Sequence, residues 1–116
     1  MKRALICTVA AALLAATVPA ALYVLEGPDR GTSFPLDGQP VVVGRSRASG
    51  LALTDPNASK EHLRIEWDGG AYRLTDLGSS FGTRVNGQTV EPATVLRRLD
   101  RIGVGDTVII FESDVG

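Results

Sequence analysis

Beyond Leu25 no window of ten residues sustains a helical hydrophobic period, which leaves the chain to fold as strands. Short apolar runs follow one another, each ended by turn residues. Leu22-Tyr23-Val24-Leu25 stops at Glu26-Gly27-Pro28-Asp29-Arg30-Gly31, and Phe34 to Leu36 stops at Asp37-Gly38. Val41-Val42-Val43 ends at Gly44, and Leu51-Ala52-Leu53 ends at Thr54-Asp55-Pro56-Asn57. From His62 to Trp67 the residues alternate strictly. That predicts Leu63, Ile65 and Trp67 on one face of a strand, with His62, Arg64 and Glu66 on the other. Asp68-Gly69-Gly70 closes a hairpin into Tyr72-Arg73-Leu74, and Asn86-Gly87 marks another tight turn. Arg101 to Val104 and Thr107 to Phe111 form a last pair around Gly105-Asp106. Short strands at spacings of about ten residues, without crossover helices, predict an all-β chain folded as an antiparallel β-sandwich. No internal repeat, linker or low-complexity tract interrupts it.

Composition removes several function classes. The chain has 116 residues and a formal net charge of −1, room for one domain. A domain of about 95 residues rich in Val, Ile and Leu buries enough apolar surface to fold without disulfides or metal. Without Lys2 and Arg3, ten basic side chains face thirteen acidic ones. Such a balance argues against nucleic acid as a partner, because that binding needs a broad basic field. Cys7 is the single cysteine and His62 the single histidine, so neither a disulfide nor a zinc cluster is expected within the chain, and no cofactor is called for. Ser59, His62 and several aspartates satisfy a hydrolase triad by count alone. Ser59 and His62 are close neighbours in sequence, however, and no Gly-x-Ser-x-Gly elbow is present. The sequence therefore points away from catalysis.

The first residues form a separate segment. Met1-Lys2-Arg3 precedes an uncharged run from Ala4 to Ala21, broken at Pro19 and ending in small residues. We set residues 1–21 apart as a hydrophobic leader and 22–116 as the domain. A basic start, an apolar stretch and a small-residue end describe a secretory signal peptide. Counted on to Leu25, the uncharged run reaches about 22 residues, the length of an uncleaved membrane anchor. A wrongly assigned start is the third reading. A buried amphipathic helix fails, since the run has no polar face.

The chemistry lies in the loops. Gly44-Arg45-Ser46, Ser59-Lys60-Glu61-His62, Asp76, Gly78-Ser79-Ser80-Phe81-Gly82-Thr83 and Val85-Asn86-Gly87 each lie beside a strand-like run. Together they hold one arginine, several hydroxyls and tight glycine turns, the equipment for gripping a phosphate. In this order and spacing, with the closing Leu99-Asp100-Arg101-Ile102-Gly103-Val104-Gly105-Asp106, they resemble the forkhead-associated (FHA) domain from about Leu22 to Glu112.

The resemblance implies an FHA/SMAD-like sandwich of about eleven strands, whose loops at one end bind a phosphothreonine peptide. The implied partner is a threonine-phosphorylated protein, a Ser/Thr kinase or its substrate. Carried over, Arg45 contacts the phosphate and Ser59 donates its hydroxyl to it. Lys60 follows that serine, and Ser80 stands in the loop beside the phosphate. Gly44 and His62 fall on positions that allow a close turn and brace the loops, while Gly82 and Asn86 serve turn geometry. Where the family usually has Asn, whose amide bonds the peptide backbone, this chain has Phe81. Losing that bond costs about 0.5–1.5 kcal/mol, so weaker or reoriented peptide binding is expected. Phe81 reads either as a platform for an apolar peptide side chain or as a buried loop anchor, and the anchor is the expectation.

Plainer roles exist for each residue. An isolated arginine is ordinarily a surface residue, serine caps turns, and Lys60 and Arg47 match ordinary exposed cations. The sequon Asn57-Ala58-Ser59 is read as accidental, since a glycan there would cover the loops. The leading reading is a non-enzymatic phosphothreonine reader. Its first rival is a phosphate-independent scaffold in a membrane or envelope assembly, and its second a small hydrolase. Location stays open: residues 4–21 point to a membrane or to export, whereas kinase partners belong to the cytoplasm. Mass spectrometry of the mature N terminus separates the leader readings. A start at Ala21 or Leu22 means export, and an intact Met1 in the membrane fraction means an anchor.

Overall fold

Alternation of apolar and polar residues sets the architecture, because each strand has one face to bury. The computed structural model describes residues 20–90 and 93–113. It holds eleven strands: β1 (Ala20–Glu26), β2 (Ser33–Leu36), β3 (Val41–Gly44), β4 (Leu51–Ala52), β5 (Leu63–Trp67), β6 (Tyr72–Asp76), β7 (Thr83–Val85), β8 (Gln88–Thr89), β9 (Ala93–Val95), β10 (Arg101–Val104) and β11 (Thr107–Ser113). One sheet has six strands in the order β2-β1-β11-β10-β7-β8, the other five in the order β4-β3-β5-β6-β9. Helix is absent among the described residues.

Every second residue of the long strands points between the sheets. Leu22, Val24, Ile102, Val104, Ile109 and Phe111 come from one side, and Val41, Val43, Leu63, Ile65, Tyr72 and Leu74 from the other. Tyr72 meets Phe111 edge-on across the gap, with ring centroids 5.6 Å apart, and Trp67 packs on Tyr72 at 5.1 Å. These aromatic contacts join β5 and β6 to β11.

Three details differ from the sequence reading. The β3–β4 pair is parallel, with Val43 opposite Leu51, because the connection after Gly44 crosses over before it pairs. The first strand begins at Ala20, two residues before the boundary drawn at Leu22. Ala20 pairs with Leu36 and Ser113, and Ala21 with Pro35 and Glu112. The rest of the leader lies outside the described residues. Finally, His62 is fully buried rather than sharing the outward face of Arg64 and Glu66. It precedes β5, so the strand's alternation does not govern its side chain.

Antiparallel pairing brings four connections to one end of the sandwich. Gly44 ends β3, Leu63 opens β5 and Asp76 ends β6 there, paired as Leu63 with Asp76 and Val43 with Leu63. In the other sheet Val104 is opposite both Thr83 and Thr107, which places the Gly105-Asp106 turn beside the start of β7. The core beneath these loops determines their setting. Phe111→Ala should lower stability by about 3–5 kcal/mol, read as a lower urea midpoint at unchanged slope.

Candidate functional site

Gly44 lets two loops touch. A Cβ there would lie 2.2 Å from the Lys60 carbonyl oxygen and 2.8 Å from that of Ser59, distances no side chain tolerates. With no Cβ in the way, the Arg45 N–H donates to the Ser59 carbonyl at 2.9 Å, and the Ser46 N–H to that of Lys60 at 3.1 Å. The loop after β3 is thus stitched to the loop before β5.

Arg45 is exposed, and its Nε–H donates to the Ala58 carbonyl at 2.9 Å. That bond orients the guanidinium and leaves its two terminal amino groups without a partner among the described residues. Ser59 Oγ accepts the Ser80 N–H at 3.1 Å. One of its two lone pairs is engaged, and its own O–H remains to donate. Arg45, Ser59 and Ser80 therefore share one small surface. Lys60 is exposed beside it and contributes its carbonyl to the stitching, which the Ser49 hydroxyl joins at 3.4 Å.

Beneath them lies His62, 0% exposed. Its Nδ1 accepts the Ser59 N–H at 3.0 Å, and a backbone amide can only donate, so Nδ1 carries no proton. Nε2 then carries the proton and donates to the Gly82 carbonyl at 2.9 Å. The neutral ring ties the loop of Ser59 to the loop of Ser80. Gly82 itself sits at φ +78°, which favours glycine.

Two carboxylates finish the framework. Asp76 accepts the Ser79 hydroxyl at 2.6 Å, the Thr83 hydroxyl at 2.7 Å, and the Gly78 and Ser79 amides at 3.0 and 3.1 Å. Burial acts to raise its carboxyl, but these hydrogen bonds outweigh it and hold Asp76 below the ordinary carboxylate value. Asp55 is fully buried and accepts the Asn57 and Asp106 amides and the Thr107 hydroxyl, each at 2.8 Å. There too burial is outweighed by hydrogen bonds and the carboxyl is lowered. Asp55 locks the Ser59 loop to the β10–β11 turn. By sequence alone Asp55 reads as a turn residue only. The visible signal was an Asp two residues before the amide it accepts.

Two predicted residues stand elsewhere. Phe81 is 68% exposed, so it is not the buried loop anchor expected of it. The loop's interior is already filled by the polar contacts of Asp76 and His62, which leave the ring outside. Asn86, at φ +53°, lies at the other end of β7, beyond Val85 opposite Ile102. Its side chain donates to Asp100 at 2.9 Å and accepts the Arg101 amide at 3.0 Å, clamping the far turn rather than the loops of Arg45 and Ser59.

The comparisons with known proteins agree with this architecture. The family model described as "Inner membrane component of T3SS, cytoplasmic domain" matches residues 23–114. An FHA domain from a structural and functional analysis of phosphothreonine-dependent FHA domain interactions superposes with a TM-score of 0.74 at 32% identity, covering 81% of this chain and 95% of that one. The solution structure of an FHA domain from Arabidopsis thaliana superposes with a TM-score of 0.80 at 34% identity, covering 87% and 90%. The chain belongs to the FHA family. Among full proteins, glycogen accumulation regulator GarA of Mycolicibacterium smegmatis is 35% identical over 92 residues, or 79% of this chain. The chain spans 58% of that relative's length.

Two outcomes follow from the framework. Gly44→Ala should push the two loops apart, lowering stability by about 1–3 kcal/mol and removing protection of the Arg45 and Ser46 amides from hydrogen exchange. The lowered Asp55 and Asp76 carboxyls contribute stability that is complete above the ordinary value of 3.8 and fades as pH falls below it through their folded values. Asp76→Asn should lower stability at neutral pH and flatten this acid loss, as measured by urea unfolding across pH.

Proposed function

We propose that this domain is a phosphothreonine-peptide binding module that mediates phosphorylation-dependent association with a partner protein. The carrying observation is the junction of Arg45 and Ser59. A backbone bond of 2.9 Å holds them together, the Nε of Arg45 is anchored, and Ser59 Oγ accepts from Ser80. The donors left over are the two terminal amino groups of a guanidinium and one hydroxyl proton. A phosphothreonine brings close to two negative charges and only acceptors. One such local cluster suffices, which suits a chain of net charge −1. The FHA neighbour at 32% identity comes from work on phosphothreonine-dependent interactions, which supports the same reading.

The site residues we assign to the ligand are Arg45, Ser59, Lys60, Ser80 and Phe81, with Gly44, His62 and Gly82 holding their loops. We also read the domain as non-enzymatic. Both nitrogens of His62 are engaged by backbone groups of Ser59 and Gly82, so the ring has no lone pair to act as a base on Ser59 Oγ. A second reading, a phosphate-independent sandwich in a membrane assembly, is favoured by the description of the matching family model.

Calorimetry with phosphothreonine peptides and dephosphorylated controls separates the two. Phosphate-dependent binding is expected, and Arg45→Ala and Ser59→Ala should each weaken it by about 10–150-fold, the value of charged hydrogen bonds worth about 1.5–3 kcal/mol. Equal binding of both peptide forms, or none, hands the case to the scaffold.

A further inference from the structure

The start of β1 divides the uncharged N-terminal run. Ala20 and Ala21 are strand residues, paired with Leu36 and Pro35 on one side and with Ser113 and Glu112 on the other. What remains before the fold is residues 4–19, sixteen uncharged positions that lead straight into β1. As a helix such a run covers about 24 Å, short of a hydrocarbon core of about 30 Å. A span that is too short draws its flanking residues into the bilayer surface. Those flanking residues belong to one end of the sandwich. Ala20 is opposite Ser113 there, whereas Glu26 is opposite Val108 near the Gly105-Asp106 turn, at the end that carries Arg45 and Ser59.

The end where β1 begins is not a plain polar surface. Val95 and Leu99 are 41% and 55% exposed, with the exposed Arg97 and Arg98 between them. Leu99 has φ +67°, a left-handed conformation that a side chain with a Cβ disfavours, and the strain secures no burial. Its N–H donates to the Phe111 carbonyl at 2.7 Å, from the side of β11 opposite β1. Leu99 is therefore two strand spacings across from β1, about 10 Å. The carboxylates at this end are engaged already. Asp37 accepts the Gln39 amide, Asp68 the Arg73 side chain, Asp100 the Asn86 side chain and the Arg97 amide, and Glu112 the Arg98 side chain. The Arg97 guanidinium has no partner among the described residues.

We infer that this end of the sandwich is seated on an anionic phospholipid bilayer into which residues 4–19 insert, with Leu99 and Arg97 as its contacts. Leu99 supplies apolar surface to the acyl boundary, and the free charge of Arg97 meets lipid phosphates beside it. The strained, exposed leucine then has a use that water does not give it. The orientation of the domain follows. β1 runs from Ala20 to Glu26, which carries the chain about 20 Å from the bilayer. The loops of Arg45 and Ser59 face away from the membrane, open to a soluble partner. This inference does not depend on what those loops bind.

Trp67, the single tryptophan, is half-buried at the same end, opposite Tyr72 where β5 turns into β6, and serves as the probe. The full chain is reconstituted into phosphatidylcholine vesicles, with and without phosphatidylglycerol, containing lipids brominated near the headgroup. Quenching of Trp67 is expected, together with slower hydrogen exchange of the Arg97 and Arg98 amides, both stronger with phosphatidylglycerol. Arg97→Glu should lower the ratio of docked to undocked domain by about fivefold, the effect of one charge near an anionic surface. Leu99→Asn should also weaken docking, yet raise the urea midpoint of the full chain in mild detergent, because Asn tolerates positive φ. A leucine kept only for the fold would not give that pair of results. A wild-type chain that sediments with the vesicles but leaves Trp67 and these amides unchanged overturns the inference, as does docking that survives both substitutions. A chain that stays in the supernatant overturns the insertion of residues 4–19 as well.

Discussion

The site depends on one buried imidazole. His62 accepts an amide from the Ser59 loop and donates to a carbonyl of the Ser80 loop, with no exposure to water. Removing it would strand the half-buried Ser59 N–H and Gly82 C=O, at a cost of about 1 kcal/mol or more each. Its position also fixes the tautomer, with both ring nitrogens engaged by backbone groups. One residue thereby orders both loops.

Around that ring the loops are held by contacts between backbone and side chain more than by apolar packing. Gly44 admits the Ser59–Lys60 backbone, Asp76 gathers Ser79 and Thr83, and Asp55 joins the Ser59 loop to the β10–β11 turn. The result is a cluster of donors presented by a domain without a basic field. Preorganised donors lose little freedom on binding an anion, which lets a single arginine serve where a broad basic face would otherwise be needed.

Most of the sandwich could be read from the sequence because its strands are two-faced. Leu63 and Ile65, or Tyr72 and Leu74, announce their side by alternation, and the glycine dipeptides mark where the chain turns. The short strands β7, β8 and β9 carry too few residues to alternate, and no pattern singled them out. The parallel β3–β4 pair has no local signature either. The loops were legible as residue types and spacings, not as contacts. Spacing did not reveal that Ser59 Oγ accepts from Ser80, that Asp55 reaches the β10–β11 turn across some fifty residues, or that Asn86 faces the far end. Phe81 departs from its expected burial for a physical reason. An aromatic in a loop is usually buried, but here the polar braces occupy the interior and the ring is left outside.

In the proposed complex a phosphate meets the donors of Arg45, Ser59 and Ser80. The most direct measurement is a titration of the 15N-labelled domain with one phosphothreonine peptide and its unphosphorylated twin, following each backbone amide. Saturable shifts are expected at Arg45, Ser46, Ser59 and Ser80 with the phosphorylated peptide alone, while Asn86 and Arg101 stay in place. Shifts confined to other surfaces, or equal shifts with both peptides, would rule out a phosphate held by these donors.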